Sequence, residues 1–245
     1  MLSSLRFKLS SNGKCLGYQS SSLFQGVLME SISDYTAEDL HNYIYNPYSQ
    51  FIERDDYSYW CIRGINEYAE ENILKPLIGM KTIFLKNKNM DLKVLDMKYE
   101  TINRNEFIEK YLFGEANNKI DFSFITPTAF RSEGRYIVVP STRLIFQSLM
   151  KKFDESGKEK IFSYDLLEDM EKHSFISRYK LRTVLYCIEK VKIPAFIGDI
   201  QIRIDGPKEM QNIAKLLIKF GAYSGIGIKT AMGMGAIRMR GEDIG

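Results

Sequence analysis

Apolar and basic residues alternate at the start of the chain, where Leu5, Phe7 and Leu9 are separated by Arg6 and Lys8. A period of two places the three large apolar side chains on one face and predicts a half-buried strand. After the turn residues Asn12 and Gly13, the period changes. Ser20 to Ser22 precede Leu23, Phe24, Val27, Leu28 and Ile32, whose spacing of three to four residues predicts an amphipathic helix. Thr36 with Asp39 three positions on has the form of a capping box, predicting a second short helical segment that carries Leu40 inward and leaves His41 at or near its end. Asn46 and Pro47 break the pattern. The aromatic and β-branched run from Tyr57 to Ile65 predicts a strand, Glu67 to Ile78 a helix, and Lys81 to Tyr99 two strands about an Asn-rich turn at 87–89.

The second half repeats this order. Ile120, Phe122 and Phe124 alternate as a strand, and Pro140 and Ser141 lead into a helix with Phe146, Leu149, Met150 and Phe153 on one face and Arg143, Gln147 and Lys151 on the other. A helix is predicted over about Tyr164 to Lys172. A hairpin follows from Leu181 to Ile188 and then through Ile200, Ile202 and Ile204. Pro207 at the start and Gly221 just past the end bracket a helix whose Met210, Ile213, Ala214 and Leu217 face the core, with Lys208, Lys215 and Lys219 opposite. A last strand-like segment covers about 223–240. The fold expected is α+β, with two tandem βαββαβ, ferredoxin-like (RRM-like) domains over 1–119 and 120–245, joined near 100–119 without a Gly/Ser linker.

A length of 245 residues suits two such domains, and 44% hydrophobic residues supply their cores, which excludes disorder as the main state. No apolar run approaches a membrane span, and the opening residues alternate rather than forming the apolar run of a signal peptide, so a soluble, cytoplasmic protein is expected. Cys15, Cys61 and Cys187 lie too far apart for a CxxC pair, and two distant histidines, His41 and His173, leave a zinc site almost without ligands. The net charge of +3 conceals a division: residues 15–79 hold ten acids against three bases, carrying −7, and the remainder carries +10. A basic remainder of that size suits a polyanion partner but also suits ordinary solvated faces.

The densest motif is Gly225-Ile-Gly227-Ile-Lys229-Thr230-Ala-Met-Gly233-Met-Gly235, two Gly-apolar-Gly triplets five residues apart. Glycines this close let a backbone turn tightly and approach a phosphate or another backbone. No helical pattern follows them, as a Rossmann fingerprint requires, and the GxxxxGK[ST] order of a P-loop is missing. Together with Thr126-Pro-Thr-Ala-Phe130-Arg131-Ser-Glu-Gly134-Arg135-Tyr136, then Pro140 and Arg143 to Leu149, this block resembles the CRISPR-associated endoribonucleases of the sixth Cas family, written here as Cas-six, of the RAMP superfamily.

The resemblance implies cleavage of precursor CRISPR RNA on the downstream side of a repeat stem, with no metal and no cofactor. The RNA's own 2′-hydroxyl would attack, leaving a 2′,3′-cyclic phosphate and a 5′-hydroxyl. Such a reaction needs a base, an acid and charge for the transition state. The family's histidine matches His41, with Tyr18 and Tyr45 ranked next as catalytic. Relatives place a lysine before a Pro-aromatic pair where this chain has Asn46-Pro47-Tyr48, and no lysine occurs over 15–74. Charge stabilisation would then come from Arg54, from Lys229, or from hydroxyls of Tyr18, Tyr45, Tyr48 and Ser49.

For RNA binding the same reading names Gly225, Gly227, Lys229, Thr230, Gly233 and Gly235 of the loop, Arg131, Arg135 and Arg143, and the stripe Lys208, Lys215 and Lys219. His173 reads as a solvated helix-end residue. The partners implied are precursor and mature CRISPR repeat RNA and other Cas effector-complex subunits, with no membrane and a monomer or homodimer. Two alternatives stand beside the enzyme: a catalytically inactive repeat-binding subunit of the same superfamily, motivated by the missing lysine, and a ferredoxin-like metabolic domain, which explains neither glycine block.

Overall fold

Leu5, Phe7 and Leu9 lie on the buried face of β1 (Leu2–Ser10), the central strand of a five-stranded sheet in the computed structural model, which describes residues 1–10 and 16–240. The Asn12–Gly13 turn and Cys15 lie outside the described residues. β2 (Tyr48–Arg54), β3 (Ser58–Gly64), β4 (Thr82–Leu85) and β5 (Met90–Ile102) complete the sheet in the order β2-β3-β1-β5-β4, every pairing antiparallel. Without the edge strand β4 this is the βαββαβ order, with β3 between β2 and β1. α1 (Ser21–Ser31) lays Phe24 and Leu28 on the sheet, and Trp60 is enclosed by Phe7 and Phe24 at ring-centroid distances of 5.6 and 5.1 Å. Burial of a side chain of that size stabilises by about 3 kcal/mol.

Three local expectations are corrected here. The cap of α2 (Asp34–Asp39) is Ser33, whose Oγ accepts from the Thr36 amide at 3.1 Å; Thr36 is inside the helix. Leu40 is buried as expected, within a 3-10 turn over Leu40–Asn42 that holds the exposed His41. β2 was not foreseen. The helical run after Asn66 is α3 (Glu67–Ala69), a π turn over Glu70–Leu74 and a 3-10 turn over Lys75–Leu77.

The second sheet has four antiparallel strands, β6 (Lys119–Thr128), β9 (Ser174–Ile188), β10 (Val191–Ile204) and β11 (Ile237–Met239), in the order β11-β6-β10-β9, the same topology again. Between β6 and the helices, β7 (Phe130–Ser132) and β8 (Arg135–Ile137) form a small hairpin. Its turn residues Glu133 and Gly134 both have positive φ, as a two-residue hairpin turn requires. α4 (Arg104–Leu112) fills the join between the sheets and sends Phe107 into the second core. α5 (Thr142–Glu155) buries Phe146, Leu149, Met150 and Phe153, and α6 (Tyr164–His173) buries Leu167 and Met170.

α7 (Lys208–Ser224) runs past Gly221, which lies inside it, and ends at Gly225. A Cβ on Gly221 would stand 2.8 Å from Leu149 Cδ2, so this glycine serves helix–helix packing. The strand expected over 223–240 reduces to β11; the segment before it is a loop with a 3-10 turn over Thr230–Met232. Lys219 is 3% exposed, which removes it from the solvated stripe. Among the described residues no helix is long and apolar enough to cross a membrane.

Candidate functional site

The glycine-rich loop is wedged between the two sheets, and each of its glycines answers a backbone constraint. Gly225, Gly227, Gly233 and Gly235 all have positive φ. A Cβ on Gly227 would stand 2.4 Å from Ala129 O, one on Gly233 2.1 Å from Ser21 Cβ, and one on Gly235 2.1 Å from Ile226 O. The two triplets close on each other through the Ile226 amide, which donates to Gly235 O at 2.8 Å. The loop is stitched to β6 and its continuation by Gly235 N to Pro127 O (3.0 Å), Ile228 N to Ala129 O (3.0 Å) and Ala236 N to Thr126 Oγ1 (2.9 Å). On the other side the buried Gln50 of β2 donates to Ala231 O at 3.0 Å and to Ser21 O at 2.9 Å, and accepts from Trp60 Nε1 at 3.0 Å. The loop is thus tied to both sheets.

Lys229 stands at the apex with φ 57° and ψ 34°. A non-glycine residue in that conformation costs about 1–2 kcal/mol. Two amides, Met232 N at 2.9 Å and Met234 N at 3.2 Å, donate to its carbonyl and hold the strained backbone in place. The side chain is exposed.

Opposite the loop runs the segment from α2 to Asn46. Between the two lies a cleft of about 640 Å³ lined by His41, Tyr45, Arg131, Lys229, Thr230 and Lys152, with Gly227 also at its wall. Residues from the segment around His41, from the β7–β8 hairpin, from α5 and from the glycine-rich loop therefore share one concave surface. Tyr45 is half-buried, and its phenol is pushed up by burial and then by the nearby Glu155 carboxylate, so it stays a hydrogen-bond donor well above neutral pH. Lys152 is 4% exposed; burial alone pulls its ammonium down to about 7. Its hydrogen bonds go to Gly225 O at 2.9 Å and Ser224 O at 3.3 Å.

Several residues named from the sequence lie elsewhere. Tyr18 and Arg54 line a separate cleft with Arg238. Tyr48 and Ser49 are consumed by the fold, Tyr48 OH donating to Gln25 Oε1 at 2.9 Å and Ser49 Oγ to Tyr223 O at 2.6 Å. Arg143 pairs with Glu171 of α6 at 2.6 Å, and Lys215 Nζ donates to Glu115 O at 3.2 Å. Arg135 is exposed on the hairpin, Lys208 is exposed on α7, and His173 closes α6 with Nδ1 2.9 Å from Asp169 O. Lys152 lines the cleft although the motif pattern does not point to it. Its signal lies in the spacing: it falls three positions after Leu149 and seven after Ile145, on the helix side that carries these buried apolar residues.

Among the described residues no three His, Cys, Asp or Glu side chains converge in a way that could hold a metal ion. A family model described as CRISPR-associated endoribonuclease Cas6 matches residues 122–237. The chain is similar to a CRISPR-associated endoribonuclease Cas6 of Streptococcus thermophilus, 33% identical over 222 residues that cover 88% of this chain and 89% of that protein. It is similar to another of Mycobacterium tuberculosis, 29% identical over 219 residues, covering 88% and 70%. Among solved structures it resembles a Cas6 product complex with a TM-score of 0.79 and 20% identity, over 98% of this chain and 99% of that one, a likeness of fold. With a third of its positions identical to the streptococcal protein across nearly the whole of both, the chain belongs to the CRISPR-associated endoribonuclease Cas6 family.

Proposed function

We propose that this chain is an endoribonuclease that cuts precursor CRISPR RNA within its repeats, without a metal ion, in the cleft between the His41 segment and the glycine-rich loop. The observation that carries the reading is the meeting of His41 and Tyr45 from one unit with Arg131 and Lys229 from the other on a single concave surface. The names of the relatives support the reaction class. In the reaction, the RNA 2′-oxygen forms a bond to the adjacent phosphorus and the bond from phosphorus to the 5′-oxygen breaks. The 2′-hydroxyl loses a proton and the departing 5′-oxygen gains one, leaving a 2′,3′-cyclic phosphate and a 5′-hydroxyl.

Each residue has a task set by its chemistry. His41 is the group that passes a proton to or from the reacting oxygens. Tyr45, kept protonated by its surroundings, donates to a phosphate oxygen. Lys229 and Arg131 offset the negative charge that accumulates on phosphorus oxygens, and their attraction for the backbone makes affinity fall with salt. The hairpin turn that carries Arg131 and Arg135 meets the RNA next to the scissile position.

The alternative of a binding subunit that does not cut rests on the absence of lysine over 15–74. Lys229 from the other unit lines the same cleft with its side chain exposed, which favours the enzyme. The test is incubation with repeat RNA in EDTA, beside a substrate with 2′-deoxyribose at the scissile nucleotide. A single cut of the first and none of the second supports the reading; binding of both without a cut supports the subunit.

A further inference from the structure

α5 grips the first glycine triplet from below at two points. Ser148 Oγ accepts from Gly227 N at 2.9 Å, and Lys152 Nζ, one helical turn on, donates to Gly225 O at 2.9 Å. Between the two contacts Ile226 is fully buried, so the triplet is fixed by an acceptor, an apolar plug and a donor in succession. Lys229 follows two residues later with its backbone in the left-handed region.

The ammonium is the unusual member. Its hydrogen bonds are to carbonyls at the end of α7, where the helix dipole favours a cation. Burying a charge on such terms still costs several kcal/mol, and an apolar residue of similar length would avoid that cost. A requirement of the site, rather than of stability, accounts for a lysine here. Gly225 O also accepts from Ser224 Oγ at 3.0 Å, but Lys152 reaches both this carbonyl and Ser224 O from the helix beneath and ties them to α5, and a methionine could fill the space without donating to either.

We propose that Lys152 and Ser148 are positioning residues that hold the Gly225–Gly227 turn from α5 and so aim Lys229 at the phosphate of bound repeat RNA. The inference rests on the reading of the cleft as the cutting site. Neither residue touches the reacting atoms; both act through the loop.

A double-mutant cycle read as single-turnover cleavage of repeat RNA tests it. Lys152→Met should slow cutting by about tenfold or more in the wild-type background, and by less than about twofold in a Lys229→Ala background, because the group being aimed is then gone. Affinity for the uncut 2′-deoxy repeat should change by less than about threefold, a split between rate and binding that a loss of folded protein would not give. Ser148→Ala removes one hydroxyl and should act in the same direction, by about threefold, keeping the test open if Lys152→Met does not fold. Equal slowing in both backgrounds, or no slowing by either variant, overturns the proposal. If the wild-type chain cuts and His41→Ala does not, such a result sinks this inference alone; a wild-type chain that neither binds nor cuts sinks it together with the functional reading.

Discussion

Replacing Gly235 by Ala adds a methyl group where the loop leaves no room for one. The residue sits at φ 75°, and its Cβ would stand 2.1 Å from Ile226 O. The conformation itself costs an alanine about 1–2 kcal/mol. The carbonyl must also move, and it belongs to the pair of segments joined by Ile226 N to Gly235 O and by Gly235 N to Pro127 O. Weakening those two bonds adds about 1 kcal/mol each, for a loss of about 3–4 kcal/mol against a total stability of about 5–15 kcal/mol. Two other glycines separate the contributions. Gly134 has φ 76° with nothing within 4 Å of its Cβ, so Gly134→Ala should lose about 1–2 kcal/mol from conformation alone. Gly26 is exposed in α1 with nothing within 4 Å, so Gly26→Ala should gain about 0.5–1 kcal/mol. The assay is urea unfolding, comparing midpoints at constant slope. A Gly235→Ala midpoint indistinguishable from that of Gly134→Ala would show that the loop has slack and that its close approach is not a packing constraint.

Gln50→Leu should destabilise by about 3 kcal/mol, since it leaves Trp60 Nε1, Ser21 O and Ala231 O without the amide that serves all three; thermal and urea unfolding read the loss. Lys152 gives a pH dependence. Its folded value of about 7 lies below the ordinary 10.5, so between those limits the unfolded chain holds a proton that the folded chain has released. Wild-type stability should therefore rise with pH from about 7 to 10.5 relative to Lys152→Met, by up to about 5 kcal/mol, and a flat difference across that window would contradict the burial assigned to this ammonium. Tyr45→Phe should slow cutting by about tenfold to a hundredfold with repeat affinity little changed, whereas Tyr18→Phe, in the other cleft, should cut as wild type in the same single-turnover assay.

Much of the fold was legible because its elements bury one face and expose the other. Leu5, Phe7 and Leu9, the Phe146 to Phe153 face of α5, and Ile200, Ile202 and Ile204 all lie where their periods put them. β2 escaped because Tyr48 to Ile52 are all buried, so the strand has no alternation to read and follows directly on a Pro47 that looks like a break. The glycine loop misled in the opposite sense: Gly-Ile-Gly-Ile has the period of a strand, but its glycines are there for positive φ and close backbone contact. Gly221 resembled a helix stop because a glycine demanded by packing against Leu149 cannot be told from a cap in sequence.

The site was legible in part, for the same kind of reason. His41 stood out because the chain has two histidines, and Lys229 because it sits between the triplets; both line the cleft. Choosing Tyr18 and Tyr45 from 15 tyrosines required knowing which cleft each connecting segment borders, and the two fall in different clefts. Lys219 carried the spacing of a surface stripe, yet α4 and Tyr111 cover it, the Lys219 Nζ lying 5.5 Å from the Tyr111 ring centroid. Tertiary neighbours decided these cases, and helical spacing alone does not report them.

The central claim is that His41 serves a cutting site built by both units. The most direct test incubates wild-type and His41→Ala protein with labelled repeat RNA in EDTA and analyses the product ends beside binding. The account predicts one discrete wild-type cut with 2′,3′-cyclic phosphate and 5′-hydroxyl ends, and a His41→Ala protein that binds the repeat and leaves it whole. A His41→Ala protein that cuts at the wild-type rate, or wild-type protein that holds the repeat uncut, would contradict it.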